Sequence, residues 1–222
     1  VLWFARTVDY SRARLAHKPG PTLSAVARAD AVDSERGWNM EADVVTTVNE
    51  VTRRLVVKAE PDTRVVVIPN GFDERSTVAP GTTGRPSSDG VRLGHAGQVF
   101  AQTPIDPLLR SLEGRDIELH HLGLPIAQTP GAHVVNHGRV DRATVLSTHA
   151  RLAAGVANVT ESGIETPTKV FDYLLAGLDL ILLHHGTVVD GGLQRMLVGV
   201  VGVQWVHDDE ESIGRFLDGY TP

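Results

Sequence analysis

Two kinds of apolar pattern alternate along the second half of the chain. Short runs rich in Val, Leu and Ile are typical of buried strands, whereas apolar residues three or four positions apart are typical of helices. Strands are predicted at 91–97, 117–123, 133–138, 154–159, 179–185 and 202–206. Helices are predicted at 104–113, 141–152, 166–177, 190–198 and 209–219. Strands and helices alternating at this spacing predict an α/β fold with a Rossmann-like, doubly wound parallel sheet and right-handed crossovers.

The first part of the chain shows the same patterns in a less complete set. Helices are predicted at 22–40 and 49–57, and strands at 42–48 and 63–73. Asn49 is the expected N-cap of the second helix. The run "ADVVTTV" at 42–48 is typical of a lone buried strand, so we expect its partner strands to lie outside this chain. Its unpaired edge would then be open to aggregation or to a partner.

A loop rich in Gly, Pro, Ser and Thr at 74–90 flanks the predicted domain boundary. We therefore divide the chain into an incomplete region at 1–73 and the doubly wound domain at 74–222. Because the chain starts at Val1, inside an apolar segment, we expect it to be a fragment or a processed product.

Charge and composition narrow the classes of function. The net charge is −6 and no basic cluster is interleaved with aromatic residues, which argues against a nucleic-acid surface. No apolar run reaches the roughly 20 residues of a membrane span, and the first 14 residues do not have the pattern of a signal peptide. The chain has no cysteine, which excludes disulfides and thiolate metal sites. We expect a cytoplasmic location, with peripheral membrane association as the alternative.

Three polar segments are expected at the carboxyl ends of the strands, where open α/β sheets bind ligands. These segments are 94–98, 161–169 and 184–187. In the second, Lys169 lies near a predicted helix start, where a cation is disfavoured by about 0.3–1 kcal/mol. Thr166 is the expected cap and Pro167 the first helical residue. A bound phosphate would turn the repulsion into a shared attraction; a solvated Lys169 is an equally good interpretation.

The other candidate residues also have two interpretations each. Asp172 could accept hydrogen bonds from a ribose, or could simply suit the helix dipole. Gly97 could admit a ligand to the backbone, or could serve a turn. The pairs His120/His121 and His184/His185 suggest metal ligands, but adjacent strand residues face opposite sides, so we predict no metal site.

Several blocks resemble a known family in order and spacing. They are "IPNGFD" at 68–73, the glycine-bearing strand 91–97, "IELHHLG" at 117–123 and "PTKVFDYLLAG" at 167–177. Together they are similar to the carboxyl-terminal half of a retaining GT-B glycosyltransferase of the group 1 type. The resemblance covers about residues 40–218, and its most specific part is the last block, about a hundred residues after "IPNGFD".

The resemblance implies roles for individual residues. Lys169 would contact the diphosphate of a nucleotide-sugar donor and Asp172 would hold the ribose, so these two are the predicted catalytic residues. Gly97 and the 184–187 loop would face the sugar. The full predicted binding set is Gly97, Gln98, Glu165, Thr166, Thr168, Lys169, Asp172, His185 and Gly186. No cofactor is expected beyond the donor substrate.

The sequence departs from the family pattern at two places. Family members commonly carry an Arg and a Lys after the glycine, whereas this chain has "GQVFAQTP", in which Gln98 offers only a neutral hydrogen bond. Arg142 and Arg195 are the candidate replacements. The first glutamate of the family's E-x7-E pattern also has no direct counterpart, although Glu165 lies nearby.

The leading hypothesis is the donor-binding half of a glycosyltransferase that moves a hexose-type sugar from a nucleoside diphosphate to a saccharide, lipid-linked or small-molecule acceptor, as in polysaccharide biosynthesis. Region 1–73 would be a remnant of the acceptor-binding amino-terminal domain together with the inter-domain connection. The rest of that domain would come from a longer parent or a partner chain, and this chain alone would be inactive. The alternatives are a non-catalytic nucleotide-sugar-binding module and a GT-B-fold sugar-nucleotide epimerase.

Overall fold

The computed structural model describes residues 4–6, 25–71, 90–99, 104–159, 167–185 and 192–221. The chain forms two compact units. The first comprises 1–70, 162–166 and 188–198, and the second comprises 71–161, 167–187 and 199–222. Over the described ranges, no helix is long and apolar enough to cross a membrane.

The first unit contains a small parallel sheet. Its strands are β1 (Phe4–Arg6), β2 (Val44–Thr47) and β3 (Val65–Val67), and its helices are α1 (Ala25–Glu41), α2 (Glu50–Ala59) and α6 (Gly192–Met196). Val45 and Val56 are fully buried and pack with Leu55 and Val65. Asn49 caps α2 as predicted, because its side chain accepts a hydrogen bond of 2.9 Å from the Thr52 amide.

The expectation that the 42–48 strand pairs outside this chain is wrong. β2 is the central strand of the sheet, in the order β1-β2-β3, and hydrogen-bonds a strand of the same chain on each side. Both of its edges are therefore covered. Sequence patterns missed β1 because it is only three residues long.

The second unit is built on six parallel strands. They are β4 (Val91–Ala96), β5 (Ile117–Leu122), β6 (His133–Gly138), β7 (Ala154–Val159), β8 (Asp179–His184) and β9 (Val203–His207). The helices between and after them are α3 (Asp106–Ser111), α4 (Arg142–His149), α5 (Lys169–Leu175) and α7 (Glu210–Gly219). Each strand and helix predicted in this region is present, with ends that differ by a few residues.

The strand order is β6-β5-β4-β7-β8-β9. Numbered within this sheet, that order is 3-2-1-4-5-6, the order of doubly wound nucleotide-binding folds. The core contains Leu93 on β4, Leu119 on β5 and Ile181 on β8, all nearly or fully buried, and Ile213 from α7 packs with them. The chain runs outward from β4 in one direction and from β7 in the other, so the sheet reverses its winding between these two neighbours.

Candidate functional site at the carboxyl ends of β4 and β7

The reversal of strand order fixes where a ligand is expected. In open α/β sheets the crevice lies outside the carboxyl ends of the strands at this point. β4 ends at Ala96 and is followed by Gly97, while β7 ends at Val159 and leads on to α5. Among the described residues, those at the carboxyl end of β4 and on α5 are therefore expected to lie near a ligand there.

Two side chains on α5, one turn apart, attach this helix to the end of β4. The Lys169 ammonium nitrogen, Nζ, lies 3.0 Å from His95 Nε2. The Tyr173 hydroxyl accepts a 2.8 Å hydrogen bond from the Ala96 amide and donates to the Val156 carbonyl at 3.3 Å. Since residues four apart lie on the same face of a helix, both contacts come from one face of α5.

A glycine makes this helix position possible. Tyr173 is fully buried, and a Cβ added to Gly155 on β7 would lie 2.2–2.5 Å from three carbons of its ring. Such contacts do not occur in real structures, so any side chain at 155 would displace the ring. The glycine thus lets α5 lie close to β7, with Lys169 over the end of β4.

Lys169 heads a series of hydrogen bonds that runs through two buried histidines. His95 Nδ1 lies 3.1 Å from His121 Nδ1, and His121 Nε2 lies 2.8 Å from the Leu124 carbonyl oxygen. His95 and His121 are adjacent in register on β4 and β5, and their rings stack with centroids 5.2 Å apart. Both side chains are almost completely buried.

The Leu124 carbonyl fixes the donor and the acceptor in every hydrogen bond between Lys169 and Leu124. A carbonyl only accepts, so His121 Nε2 carries the hydrogen, and the neutral ring must then accept at Nδ1. His95 therefore carries its hydrogen on Nδ1 and accepts at Nε2. The Lys169 amine consequently donates to His95. Each group donates toward Leu124, and no other set of neutral tautomers satisfies all three contacts.

The pKa values of these groups agree with that assignment. Burial, and then the nearby Lys169 charge, hold the pKa of His95 well below its usual range. Burial also lowers the pKa of His121. Both imidazoles are therefore neutral near pH 7. Burial lowers the pKa of the Lys169 ammonium to about 8, so this lysine is mostly charged at neutral pH and loses its proton in mild alkali.

Asp172 does not lie free beside Lys169. Its Oδ1 accepts a 2.8 Å hydrogen bond from Arg142 Nη2, and the pair is partly exposed. Arg142 is the first residue of α4, and Asp172 lies in the first turn of α5. An arginine, one of the two candidate replacement cations, thus lies at the site but is bound to the predicted ribose-binding carboxylate.

Backbone glycines shape the loop after β4. Gly97 has φ of +109°, a conformation that favours glycine, and no atom lies within 4 Å of the position its Cβ would take. A Cβ on Gly123 would lie 2.1 Å from the Gly97 carbonyl oxygen, so the loops after β4 and β5 can approach only because 123 is glycine. The Gly97 backbone is exposed and faces open space.

The remaining predicted binding residues have several outcomes. Gln98 and Thr168 are exposed near the end of β4 and the start of α5, and His185 is exposed after β8. Because β7 separates β8 from β4, the end of β8, which His185 follows, lies roughly 10 Å across the sheet from the end of β4. Glu165, Thr166 and Gly186 lie outside the described residues. All these binding roles therefore stay predictions.

One local expectation about α5 needs correction. The helix begins at Lys169 with Thr168 at its N-cap position, so Pro167 precedes the helix and is not its first residue. The predicted cap residue Thr166 lies outside the described residues. The Thr168 side chain makes no capping hydrogen bond, because its own backbone is already helical. No threonine cap supports this helix start among the described residues.

His95 contacts Lys169 directly, and His121 contacts His95. The sequence interpretation assigned neither histidine to the site. His95 was considered only as part of the segment 94–98, and His121 only as one of the pair His120/His121. The pair His120/His121 separates as expected: His121 stacks on His95, and His120 stacks on His137. Within the described ranges, no group of three or more His, Cys, Asp or Glu side chains is placed to hold a metal ion.

Tyr173→Phe is expected to destabilise the second unit by about 1–2 kcal/mol. The change leaves the Ala96 amide without its acceptor, and a buried unsatisfied donor costs roughly 1–3 kcal/mol. Tyr220→Phe is the matched control, because that hydroxyl donates to the partly exposed Asp179 carboxylate, which water can serve instead. Urea unfolding of both variants measures the difference, and equal losses would contradict the role given to the Tyr173 hydroxyl.

Comparisons with known proteins bear on the fold. No protein-family model matches the chain, and no curated protein sequence matches it. Among solved structures, the chain is similar to Anabaena HepE, whose crystal structure was determined in complex with UDP and glucose, with a TM-score of 0.60 and 16% sequence identity. The alignment covers 89% of this chain and 59% of the HepE chain, so this chain spans about three-fifths of the length of HepE. At this identity the likeness shows the fold: the chain has the predicted α/β architecture, a Rossmann-like doubly wound parallel sheet of the kind found in GT-B domains.

Proposed function

We propose that this chain binds a nucleoside-diphosphate sugar and is the donor-binding part of a glycosyltransferase. The observation that carries the proposal is the position of Lys169. Its ammonium lies over the carboxyl end of β4, at the reversal of strand order, and its hydrogen-bond partner there is a neutral imidazole. No carboxylate forms an ion pair with it within the described ranges.

A partly buried cation next to a neutral partner is a site for an anion. Removing the ammonium from water disfavours its charge, and an anion that binds beside it restores the lost stabilisation. Hydrogen bonds to ionised groups are roughly twice as strong as neutral ones. The loop that follows β4, two residues beyond His95, is exposed at Gly97, where no atom lies within 4 Å of the position a Cβ would take. That open position supports room for a ligand at this strand end.

The proposed roles of the other residues follow from their places around Lys169. Asp172 holds the ribose hydroxyls, and Arg142 either supports the carboxylate or turns to the diphosphate. Thr168 and Gln98 contribute neutral hydrogen bonds, with Glu165 and Thr166 nearby in the chain. Gly97, His185 and Gly186 lie at the sugar end. These assignments are supported by the sequence resemblance. They are also supported by the parallel sheet, which brings the carboxyl ends of its strands to one edge.

In the transfer reaction the bond between the anomeric carbon and the diphosphate breaks, and negative charge accumulates on the diphosphate. A preorganised cation stabilises that charge, so Lys169 would act on the leaving group. We propose a retaining transfer of a hexose to a saccharide, lipid-linked or small-molecule acceptor in the cytoplasm. The acceptor-binding part would be completed by a longer parent or by a partner chain.

A second candidate is a nucleotide-sugar-binding module without catalysis. One observation favours it: the position after Gly97 carries the neutral Gln98, and Arg142 is engaged with Asp172. Lys169 would then be the main cation at the diphosphate. The two candidates share the same ligand and differ only in turnover.

Thermal unfolding with nucleotides tests the shared part of the proposal. UDP, GDP, ADP and dTDP, each with its glucose derivative, are added at increasing concentration, and UDP and UDP-glucose are the first choice because HepE was crystallised with UDP and glucose. A ligand at a hundred times its dissociation constant is expected to stabilise the fold by about 2.7 kcal/mol. No shift with any of the eight compounds would contradict the proposal.

Turnover separates the two candidates. Radiolabelled donor sugars are incubated with this chain and, in parallel, with any longer parent protein, together with saccharide and lipid-linked acceptors. Transfer by the parent supports the glycosyltransferase. Tight binding without transfer or donor hydrolysis in either preparation supports the binding module.

A further inference from the structure

The hydrogen bonds that join Lys169, His95, His121 and Leu124 determine where the Lys169 ammonium lies. We propose that His95 is the positioning residue of Lys169, and that His121 and the Leu124 carbonyl hold His95 in the one tautomer that can accept a hydrogen bond from the ammonium. This inference rests on the proposed function of Lys169 as the diphosphate ligand.

The contact with His95 holds the Lys169 ammonium in place before any ligand binds. A lysine side chain is flexible and carries about 2 kcal/mol of rotamer entropy, so an unsupported lysine orders itself only when the ligand binds. Here Nζ is held 3.0 Å from His95 Nε2, on a strand at the centre of the sheet. One of the three ammonium hydrogens is used by His95, and two remain for phosphate oxygens.

His121 determines which tautomer His95 adopts. A lone neutral histidine can carry its hydrogen on either nitrogen, and in one of those forms it would offer Lys169 a donor instead of an acceptor. His121 removes this choice, because its own hydrogen is committed to the Leu124 carbonyl at 2.8 Å. Hydrogen bonds that all donate in one direction also polarise one another, which makes His95 Nε2 a better acceptor.

Among the described residues, the charged and titratable groups around these hydrogen bonds leave Lys169 as the group that responds to mildly alkaline pH. α5 contributes Lys169, Tyr173, whose pKa burial raises, and Asp172, which is paired with Arg142 from α4. β4 and β5 contribute His95 and His121, and β6 contributes His137, which adds a small lowering to the pKa of His121 after burial and Lys169. The histidines on β4 and β5 are already neutral above pH 7.

Nucleotide binding should therefore be coupled to a proton above neutral pH. The free protein loses the Lys169 proton near pH 8, whereas the complex with a diphosphate keeps it. Affinity for UDP is expected to fall about tenfold per pH unit above that value, with close to one proton taken up on binding. His95 stabilises the charged lysine by accepting its hydrogen bond, so loss of His95 should move this fall to lower pH.

The test is calorimetric titration of UDP into the full chain at pH 7.5 and pH 8.5, in two buffers that differ in ionisation enthalpy. The proteins are the wild type, His95→Leu, His95→Gln and His121→Leu. His95→Leu is expected to lose about tenfold in affinity at pH 7.5 and clearly more at pH 8.5, since the acceptor is gone. His95→Gln keeps an amide oxygen for Lys169 and is expected to retain most of the affinity.

Several results would overturn the inference. A loss in His95→Leu that is the same at both pH values would mean that His95 acts only through packing. UDP binding by His95→Gln that is no stronger than binding by His95→Leu would lead to the same conclusion. If the wild-type protein binds no nucleotide at all, the proposed function fails. If binding depends on Lys169 but the pH dependence of affinity is the same with and without His95, only this inference fails.

A second measurement uses only the wild-type protein and so does not depend on whether the variants fold. Long-range proton–nitrogen correlation spectra of the wild-type chain report which ring nitrogen of each histidine carries the hydrogen. His95 is expected to carry it on Nδ1 and His121 on Nε2. The opposite tautomer at His95 would overturn the inference even if all the variants failed to fold.

Discussion

Lys169→Met is expected to weaken UDP binding by about tenfold to a hundredfold. A hydrogen bond to a charged group is worth roughly 1.5–3 kcal/mol, and that range converts to those factors in the dissociation constant. Methionine keeps the length and flexibility of the side chain and removes only the ammonium. Calorimetric titration at pH 7.5 measures the change directly.

The same substitution should leave the apo fold nearly as stable as the wild type. Removing a partly buried charge is favourable, whereas the loss of a donor leaves His95 Nε2 unsatisfied, and the two effects oppose each other. The pKa of Lys169 is lowered in the folded state, so between about pH 8 and pH 10 the unfolded chain binds the proton and the folded chain does not. Wild-type stability should therefore rise over this range, and the Lys169→Met protein should lack that rise.

Lys58→Met is the matched control for charge. It removes one positive charge from the exposed face of α2 and should not change UDP affinity. Equal affinity in the Lys169→Met and wild-type proteins would remove the diphosphate role from Lys169. It would leave this lysine as a structural donor to His95.

Gly155→Ala should destabilise the second unit by about 3 kcal/mol, at the upper end of the range for an overpacked core. The new methyl group would overlap the buried Tyr173 ring at 2.2–2.5 Å. The ring has little freedom to move, because its hydroxyl bonds the Ala96 amide and the Val156 carbonyl. Urea unfolding followed by circular dichroism measures the loss.

Two controls separate overlap from other effects of the glycine change. Gly219→Ala changes an exposed glycine in α7 with no atom within 4 Å of the new methyl, and it should be neutral or slightly stabilising. In the double variant Gly155→Ala, Tyr173→Ala, the loss should be smaller than the sum of the single losses, because the overlapping ring atoms are gone. Additive losses would contradict the close packing of α5 on β7 described above.

The fold could be predicted because its periodicities are strong. The runs that form β7 and β8 are almost entirely apolar, as expected of strands covered on both faces, and a helical pattern separates them. β1 was not predicted, because three residues are too few to show the alternation or apolar run of a strand. The pairing of β2 was mistaken for the same reason, since its partner on one side was the missed strand.

The site could be predicted only in part. Lys169 was found because a cation is unexpected at a helix start, which is a local signal. Its contact with His95 joins residues 74 positions apart and depends on β4 lying beside β7. The contact of His95 with His121 depends on the register of β4 and β5. Neither property is encoded in a local pattern, so these histidines could be recognised only in the folded chain.

The most direct test of the central claim is a lysine footprint, because the chain contains only Lys18, Lys58 and Lys169. The chain is reductively methylated at pH 8 with and without saturating UDP-glucose, and each lysine is quantified by mass spectrometry of its peptides. We expect UDP-glucose to slow methylation of Lys169 strongly and to leave the other two lysines unchanged. Equal methylation of Lys169 with and without a bound ligand would contradict the placement of the diphosphate at this residue.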